Sequence, residues 1–289
     1  MSSVEDSRIP ELYRLLWEPI VRAALAEDLG RAGDLTSDAV VPAGMPAKAR
    51  LVARKGGRVA GLGPALGTFE LLSGSFRFEI PAPDGRDVDA DATLAWVEGP
   101  ARELLSAERT ALNLLGHLSG IATVTRGVVA AVAGSRARVV CTRKTTPLLR
   151  ALEKYAVRVG GGANHRFGLD DAVLIKDNHR AIAGSIAEAV RRVRGHVGHL
   201  VKVELEVDTL AAVAEALEAG VEAILLDNMT PQELKEAVRL VGGRAITEAS
   251  GGITPSTAAE VAATGVDLLS IGWLTHSAPN LDVALDVEL

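Results

Sequence analysis

The sequence predicts an α/β fold in which an N-terminal α+β region precedes a (β/α) barrel. In the first part, short strands separated by glycine and proline lie close together in the chain, which favours antiparallel pairing. After the helix that ends near Leu118, strands and helices alternate strictly, which is typical of a parallel sheet. Polar residues follow every strand of this second part, and in a barrel those ends converge on one face. A doubly wound open sheet, the alternative, would concentrate them at one switch point.

The elements of the first part follow from periodicity and turn residues. Apolar residues at helical spacing predict a helix over 19–29, another over 64–72 and a long one over 101–118. Short runs of alternating pattern, bounded by glycine or proline, predict strands at 47–54, 58–62, 75–80 and 93–98.

The elements of the second part carry clearer boundaries. Apolar runs predict strands at 138–142, 172–175, 200–207, 223–226, 245–248 and 268–271. Ser185 with Glu188 and Thr230 with Glu233 have capping-box spacing, and Thr254 precedes a proline at a predicted helix start. Gly220 and Gly242 stand where helices should end.

Composition excludes several classes of protein. The chain has 289 residues, a net charge of −6 and few aromatic residues, which argues against general nucleic-acid binding. No apolar run reaches the ~18 residues of a membrane span, and the start lacks the pattern of a signal peptide. The one cysteine, Cys141, excludes an intrachain disulfide and a CxxC metal site. We therefore expect a cytoplasmic protein that binds neither nucleic acid nor membrane.

A local excess of positive charge predicts a site for small polyanions. Residues 135–180 contain ten Lys/Arg and four Asp/Glu, within a chain that is acidic as a whole. The anion-binding candidates are Arg143, Lys144, Arg166 and Lys176, because ammonium and guanidinium groups bind phosphate and carboxylate. Three further cations fall on a helical stretch and are expected in solvent: Arg150, Lys154 and Arg158.

Two carboxylates at strand ends form a second candidate cluster. Glu206 and Asp227 end adjacent strands, where they could hold Mg²⁺, bind sugar hydroxyls or stabilise a developing cation. The less favoured alternative is a salt-bridge network with Lys176 or Lys202. Glu204 is expected to point away from Glu206 or merely to support it.

Glycines in the late loops predict a phosphate cradle. Ser250, Gly251 and Gly252 precede a predicted helix start at Thr254, and Gly272 follows the next strand. Backbone amides at such a place bind phosphate, although an ordinary glycine-rich turn is the alternative. His165 follows a triple glycine and could bind phosphate or titrate.

Together these residues resemble the quinolinate phosphoribosyltransferase family over nearly the whole chain. The resemblance is carried by the segments EDLGRAGDLTSDAV (27–40), AERTALNLLGHLSGIAT (107–123), TRKTTP (142–147), KYAVRVGGGANHR (154–166), LIKDNH (174–179), ELEVD (204–208), LLDN (225–228), EASGGI (248–253) and IGWLTHS (271–277). Nicotinate phosphoribosyltransferases and a molybdenum-associated paralogue share the architecture and remain alternatives, as does a non-catalytic phosphate-ligand-binding regulator.

The resemblance implies an N-terminal sandwich domain, residues 1–112, and an incomplete, TIM-like (β/α) barrel, residues 113–276, with a tail, 277–289, that packs back on the first domain. It implies a homodimer, or a higher oligomer, in which Arg109 enters the partner's site. The implied reaction joins quinolinate to 5-phosphoribosyl-1-pyrophosphate with Mg²⁺, releasing pyrophosphate and CO₂ and giving nicotinate mononucleotide for NAD biosynthesis.

The resemblance also assigns roles to individual residues. Arg109, Arg143, Arg166 and Lys176 match positions that bind quinolinate, and Lys144 and His165 match contacts to the donor and substrate. Glu206 and Asp227 match the residues near the ribose hydroxyls and the metal, so Lys144, Glu206 and Asp227 are the catalytic candidates. The residues implied for substrate and phosphate binding at the other strand ends are Thr142, Ser250, Gly251, Gly252, Ser270, Gly272 and His276. One departure is Leu148, where the family usually has glycine.

Overall fold

The computed structural model describes residues 11–288. The first ten residues of the expected N-terminal domain and Leu289 of the expected tail lie outside the described residues. The chain divides into two compact units. The first contains the chain up to Arg126, Thr146–Gly161 and the chain from Ser277, and the second contains Gly127–Thr145 and Gly162–His276. The boundary expected at residue 112 falls inside one continuous helix.

The first unit is an α+β structure with an antiparallel sheet. In chain order its elements begin with α1 (Arg14–Leu29), α2 (Leu35–Val40), β1 (Pro46–Ala53), β2 (Gly57–Arg58), α3 (Leu62–Leu72), β3 (Arg77–Glu79), β4 (Asp87–Val88), β5 (Thr93–Pro100) and α4 (Ala101–Ala131). The C-terminal strand of the chain, Val283–Glu288, pairs antiparallel with β1. It completes a four-stranded sheet in which β1 lies between this strand and β5, and β3 lies beyond β5.

The second unit is a set of βα units around a parallel sheet. Its elements, with α5 of the first unit in chain order, are β6 (Arg138–Val140), α5 (Arg150–Val159), β7 (Val173–Ile175), α6 (Asp177–Ala183), α7 (Ile186–Arg194), β8 (Val203–Val207), α8 (Leu210–Glu218), β9 (Ala223–Asp227), α9 (Pro231–Val241), β10 (Ile246–Ser250), α10 (Ala258–Ala262), β11 (Leu268–Ser270) and α11 (Trp273–His276); the C-terminal strand is β12. The sheet order is β6-β11-β10-β9-β8-β7. Within residues 11–288, β6 and β7 do not pair with each other, which confirms an incomplete barrel.

The segment 58–62 is not the strand that the sequence predicts. Only Gly57–Arg58 is extended, and α3 begins at Leu62. The carboxylate of Asp84 accepts hydrogen bonds from the backbone N–H groups of Gly61 and Leu62, which satisfies donors at the start of the helix. Because that cap comes from a residue distant in sequence, local pattern does not reveal it.

Helix α4 runs to Ala131, well beyond the expected end at Leu118. Gly116 and Gly120 lie inside it without ending it, because they make room for the C-terminal segment. A Cβ at Gly120 would lie 2.1 Å from the carbonyl oxygen of Pro279. By length and hydropathy this helix passes the test for a membrane span. However, Leu104 and Leu115 are fully buried in the core of the first unit, which accounts for the apolar composition.

The helical context of Lys154 predicts that it lies in solvent. In the structure it is buried instead, with 2% of the residue exposed. Helix α5 packs against α1, and Glu153 beside it binds His117 of α4, with 2.9 Å between the carboxylate and Nε2. The helix is thus covered on more than one face, so a residue next to Glu153 is buried as well. Arg158 is exposed and Arg150 is partly exposed.

Leu148 has a left-handed backbone with a φ of 69°, and its side chain is exposed. We expect Leu148→Gly to stabilise the protein by about 0.5–1 kcal/mol, because the left-handed conformation costs a residue with a Cβ roughly 1–2 kcal/mol while glycine loses roughly 0.5–1 kcal/mol of entropy. Chemical denaturation measures the free energy of unfolding. Leu148→Ala is the matched control: it keeps the Cβ and should stay close to the wild type. A Leu148→Gly variant less stable than Leu148→Ala would contradict the expectation.

Candidate active site

A cavity of about 730 Å³ lies at the carboxyl ends of the barrel strands, entirely within the second unit. Its lining contains most of the residues expected in the site: Thr142, Arg143, Lys144, His165, Arg166, Lys176, Glu206, Asp227, Ser250, Gly251, Gly252, Ser270, Gly272 and His276. The lining also contains residues that the sequence reasoning missed: Leu174, Leu225, Asn228, Ile253, Thr254, Ile271 and Trp273. Polar groups from the ends of all six strands therefore meet in one cavity.

Two guanidinium groups form the most strongly cationic part of this cavity. The pKa of Arg166 is lowered by burial and by the positive charge of Arg143, so the two groups are close enough to repel each other. Arg166 donates to the carbonyl oxygen of Ala172 at 3.1 Å. The Nε of Arg143 is buried and has no hydrogen-bond partner among residues 11–288. Such a donor would be satisfied by a bound anion.

Lys176 and Glu206 form an ion pair with 2.5 Å between Nζ and the carboxylate. Salt-bridge formation by Glu206 is thus found, although the sequence reasoning favoured it less. The register explains the contact: Leu174 pairs with Glu204 and Ile175 with Leu205, so the next residues, Lys176 and Glu206, lie side by side. Lys202, the other expected partner, comes just before β8 begins, at the end of the strand opposite to Glu206, and is exposed.

Asp227 ends β9 and faces the same cavity. Its carboxylate accepts from Nδ2 of Asn228 at 2.7 Å, and the backbone N–H of Asn228 donates to the carbonyl oxygen of Ser250. Asn228 has a left-handed backbone with a φ of 54°, which asparagine tolerates better than most residues. The turn therefore fixes Asp227 to the loop that begins at Ser250.

The glycine-rich loop leaves open backbone near that turn. Gly251 has a φ of 99°, and a Cβ there would lie 2.1 Å from Oδ1 of Asn228, so glycine is required. The helix expected to start at Thr254 begins later, at Ala258, because Thr254 first forms a turn with Thr257. Since α10 has only five residues, loop amides rather than a long helix would carry any anion binding here.

The loop that carries Arg143 and Lys144 is held by two hydrogen bonds to the backbone of Lys144. The backbone N–H of Lys144 donates to Oγ1 of Thr142 at 2.9 Å, and its carbonyl oxygen accepts from Oγ1 of Thr275 at 2.8 Å. A Cβ at Gly272 would lie 2.8 Å from the side chain of Lys144, which shows how closely that side chain crosses the following loop.

His165, Glu204 and Glu248 form a buried cluster beneath the cavity. Nε2 of His165 lies 2.8 Å from Glu204 and 3.5 Å from Oε1 of Glu248. Glu204 and Glu248 are 8% and 1% exposed. Glu204 contacts His165, a lining residue, and so supports the site, which is the second of the two roles expected for it. It shares a face of the strand with Glu206, since residues two apart lie on one face. The two-residue spacing between Glu204 and Glu206 was the sequence signal that both lie on one face. No sequence signal indicated the long-range contact with Glu248.

The pair of glutamates is electrostatically coupled. Burial and the negative charge of Glu204 raise the pKa of Glu248 to about 7, opposed by His165 and by a hydrogen bond from Ser270. Oε1 of Glu248 is buried without a hydrogen-bond donor among the described residues. A proton shared by the two carboxyl groups would satisfy this oxygen. These three residues also form the one metal-ligand grouping within residues 11–288, but the 2.8 Å contact is an ordinary hydrogen-bond length.

Arg109 is the one expected site residue outside this cavity lining. It lies on α4 in the first unit and is exposed, whereas every lining residue belongs to the second unit. Nothing in a single copy of the chain therefore assigns Arg109 to this cavity.

Comparison with known proteins identifies the relatives of this chain. Residues 34–119 match the family model for the quinolinate phosphoribosyl transferase N-terminal domain, and residues 121–286 match the model for its C-terminal domain. A nicotinate-nucleotide pyrophosphorylase (carboxylating) of Mycobacterium leprae is 46% identical, with 92% of this chain and 95% of that protein covered. A probable enzyme of the same name from Bacillus subtilis is 43% identical, with 91% and 90% covered.

Solved structures agree with these matches. NadC from Streptococcus pyogenes has a TM-score of 0.93 at 40% identity, covering 96% of this chain and 99% of that one. The nicotinate-nucleotide pyrophosphorylase of Francisella tularensis has a TM-score of 0.92 at 34% identity, covering 98% and 99%. A human nicotinic acid phosphoribosyltransferase, at 14% identity and a TM-score of 0.61 over 96% of this chain and 75% of that one, shares the fold alone.

The raised pKa of Glu248 predicts a pH-dependent stability. A carboxyl group whose pKa is raised by folding stabilises the protein at low pH, and that contribution is lost as the pH rises through about 7. Glu248→Gln cannot ionise, so its free energy of unfolding relative to the wild type should rise between pH 5 and pH 8 by on the order of 1–2 kcal/mol.

Denaturation at each pH measures this difference. Glu236→Gln, an exposed substitution of the same type on α9, is the matched control and should differ from the wild type by a constant amount. Parallel curves for the wild type and Glu248→Gln across this range would contradict the prediction.

Proposed function

The chain belongs to the quinolinate phosphoribosyl transferase family, and from this membership we infer that it transfers a phosphoribosyl group to quinolinate. The donor is 5-phosphoribosyl-1-pyrophosphate, and the products are nicotinate mononucleotide, pyrophosphate and CO₂. The reaction supplies a precursor of NAD.

The single observation that carries the acceptor assignment is the concentration of cations at one part of the cavity. Arg143 and Arg166 lie close enough to repel, and the buried Nε–H of Arg143 finds no acceptor in the part of the chain that the structure describes. Lys176, which is paired with Glu206, adds a third cation at the end of β7. A dicarboxylate such as quinolinate would neutralise this charge, whereas the monocarboxylate nicotinate would leave one half-buried arginine without an anionic partner.

We assign the phosphoribosyl donor to the opposite part of the same lining. The open amides of Gly251, Gly252 and Gly272, with the side chains of Ser250 and His276, suit the 5′-phosphate. Lys144 crosses above Gly272 and is suited to a second phosphate group. Thr142 and Ser270 lie at the ends of β6 and β11, between the two groups of contacts.

The proposed reaction is a displacement at the anomeric carbon of the ribose. The bond from C1′ to the pyrophosphate oxygen breaks and a bond from C1′ to the ring nitrogen of quinolinate forms, through a sugar with cationic character. Glu206 and Asp227, as carboxylates lining the cavity, would stabilise that charge electrostatically. The ring nitrogen is then positively charged, so the bond to the adjacent carboxylate can break with its electrons held on the ring, and a proton replaces the CO₂.

We propose that Mg²⁺ accompanies the donor. The donor set fits: Asp227 and Glu206 supply hard carboxylate oxygens at the cavity, and the pyrophosphate itself supplies others. When bound, the ion would offset the charge of the leaving pyrophosphate. Glu206 would keep its contact with Lys176, so Asp227 is the carboxylate with the more open geometry for this role.

We further propose that the protein is a homodimer in which Arg109 completes the partner's acceptor site. Arg109 is exposed on α4, and a second copy related by two-fold symmetry could present it to the cavity. A cytoplasmic location is part of the same proposal. It is consistent with α4, the one helix among the described residues that is long and apolar enough to span a membrane, using its leucines for packing in the core.

The function is tested by incubating the purified chain with the donor, Mg²⁺ and either quinolinate or nicotinate. Nicotinate mononucleotide with an equal amount of CO₂ is expected from quinolinate and none from nicotinate. Product from nicotinate alone would refute the dicarboxylate site, and binding without any product would favour a regulator. Chelation of Mg²⁺ should abolish turnover.

Lys176→Ala should lower kcat/KM for quinolinate by about 10- to 100-fold, since a hydrogen bond between charged groups contributes roughly 1.5–3 kcal/mol. Steady-state kinetics with each substrate varied in turn measures the effect. Lys202→Ala removes an exposed lysine from the opposite end of β8 and should leave kcat/KM unchanged. Equal values for the two variants would remove Lys176 from the acceptor site.

Subunit mixing tests the role of Arg109. Arg109→Ala and Lys176→Ala homodimers should each be nearly inactive, whereas a mixture that exchanges subunits should regain about one quarter of wild-type activity. This follows because half the dimers are mixed in an equal mixture, and one of the two sites in each carries neither substitution. No recovery after verified exchange would mean that Arg109 does not act in the partner's site.

A further inference from the structure

We propose that the buried glutamates Glu204 and Glu248 are positioning residues that orient His165, and through it the adjacent Arg166, for binding the carboxylates of the acceptor. Neither glutamate lines the cavity, so they act through His165 rather than by touching a substrate. The inference rests on the proposed function for the identity of the acceptor, but its structural part stands on the hydrogen bonds alone.

The barrel geometry brings the three side chains together. β8 and β10 lie on either side of β9, and Glu204 and Glu248 come from these two alternate strands. In a (β/α) barrel, inward side chains from alternate strands share a layer, so the two carboxyl groups can meet across β9. His165 follows Ala163, which bridges to Val140 of β6 at the open edge of the sheet. The histidine therefore belongs to a segment that has little strand pairing of its own.

The hydrogen bonds at His165 define one orientation of its ring. Nδ1 accepts from the backbone N–H of Arg166 at 2.7 Å, so the proton of a neutral ring belongs on Nε2. Nε2 then donates to Glu204 at 2.8 Å. Reversing the ring would place a carbon where each nitrogen now has a partner, and would leave the carboxylate of Glu204 without this donor.

Glu248 secures the carboxylate that receives this bond. It lies 3.5 Å from the same nitrogen, contacts Glu204, and receives a hydrogen bond from Ser270 at the end of β11. Ser270 also lines the cavity. Glu248 therefore connects the buried cluster of His165 and Glu204 to the end of β11, near the residues assigned to the 5′-phosphate. Removing either glutamate would leave polar groups of the remaining residues in this cluster buried without a hydrogen-bond partner.

The hydrogen-bond network of His165, Glu204 and Glu248 affects the acceptor site through Arg166. Its backbone N–H is held by the ring of His165, and its guanidinium lies beside that of Arg143 despite their repulsion. Two like charges stay together only if the backbone around them is held, and the negative charge of Glu204 opposes the repulsion at Arg166. We therefore expect loss of the network to weaken acceptor binding and to spare donor binding.

The test compares Glu204→Gln with Glu204→Leu in the full-length protein. The amide oxygen of glutamine can still accept from Nε2, and its N–H can donate to Oε1 of Glu248. Glu204→Gln should therefore keep the KM for quinolinate within about twofold of the wild type. Leucine has no acceptor, and Glu204→Leu should raise the KM for quinolinate about 10-fold or more, with the KM for the donor unchanged.

Thr247→Val is the matched control for loss of buried polar contacts. Thr247 neighbours Glu248 on β10, is 1% exposed, and bonds Asp267 rather than His165. It should lower the melting temperature without moving either KM. Unchanged quinolinate KM in Glu204→Leu, an equal rise in both KM values, or equal defects in the glutamine and leucine variants would each overturn the proposal.

The ring state gives a readout that does not depend on turnover. In ¹⁵N-histidine-labelled protein, His165, assigned by its loss in His165→Gln, should have a protonated Nε2 and an unprotonated Nδ1 in the wild type and in Glu204→Gln. In Glu204→Leu the Nε2–H loses its acceptor, so its proton signal should shift upfield or disappear through faster exchange with solvent. A wild type with the opposite tautomer would refute the network, whereas the expected tautomer in a protein that fails to use quinolinate would refute only the proposed function.

Discussion

The active-site cavity depends on holding like charges together at two levels. At the upper level, Arg143 and Arg166 repel each other, and at the lower level Glu204 and Glu248 do the same. Either pair alone would be costly in a buried place, because low dielectric strengthens repulsion as well as attraction. The negative charge of the glutamates opposes the positive charge of the arginines. The two pairs are connected by His165, which bonds Glu204 and the backbone of Arg166. We propose that an anionic ligand supplies the acceptor that the Nε of Arg143 lacks among residues 11–288.

This arrangement requires no nucleophile from the protein. Phosphoribosyl transfer and decarboxylation both proceed through redistribution of charge within the substrates themselves. The protein is then required to hold two anions with the reacting atoms adjacent and to face the cationic sugar with carboxylates. Fixed side chains at the ends of rigid strands are suited to that task, and the register of β7 with β8, which sets Lys176 beside Glu206, is one example.

The sequence predicts the fold class and most of the charged members of the cavity because both depend on local pattern. Strand–helix alternation gives the barrel, and polar residues at strand ends give the lining. What it does not reveal depends on contacts between distant residues. The cap of α3 comes from Asp84, the burial of Lys154 comes from packing of α5, and the partner of Glu204 comes from β10. The Lys176–Glu206 pair requires the register of two strands, which composition does not fix.

The acidic character of the whole chain and the anionic character of its substrates are compatible for a physical reason. At physiological ionic strength, exposed charges more than about 8 Å apart are largely screened, so the net charge of −6 has little influence at the cavity mouth. The local field is set instead by Arg143, Arg166, Lys176 and Lys144, which line the cavity. Arg143 and Arg166 are half-buried, so their charges are screened less than those of fully exposed residues. We propose that discrimination among pyridine carboxylates follows from charge number, because each missing carboxylate leaves one of these cations without an anionic partner.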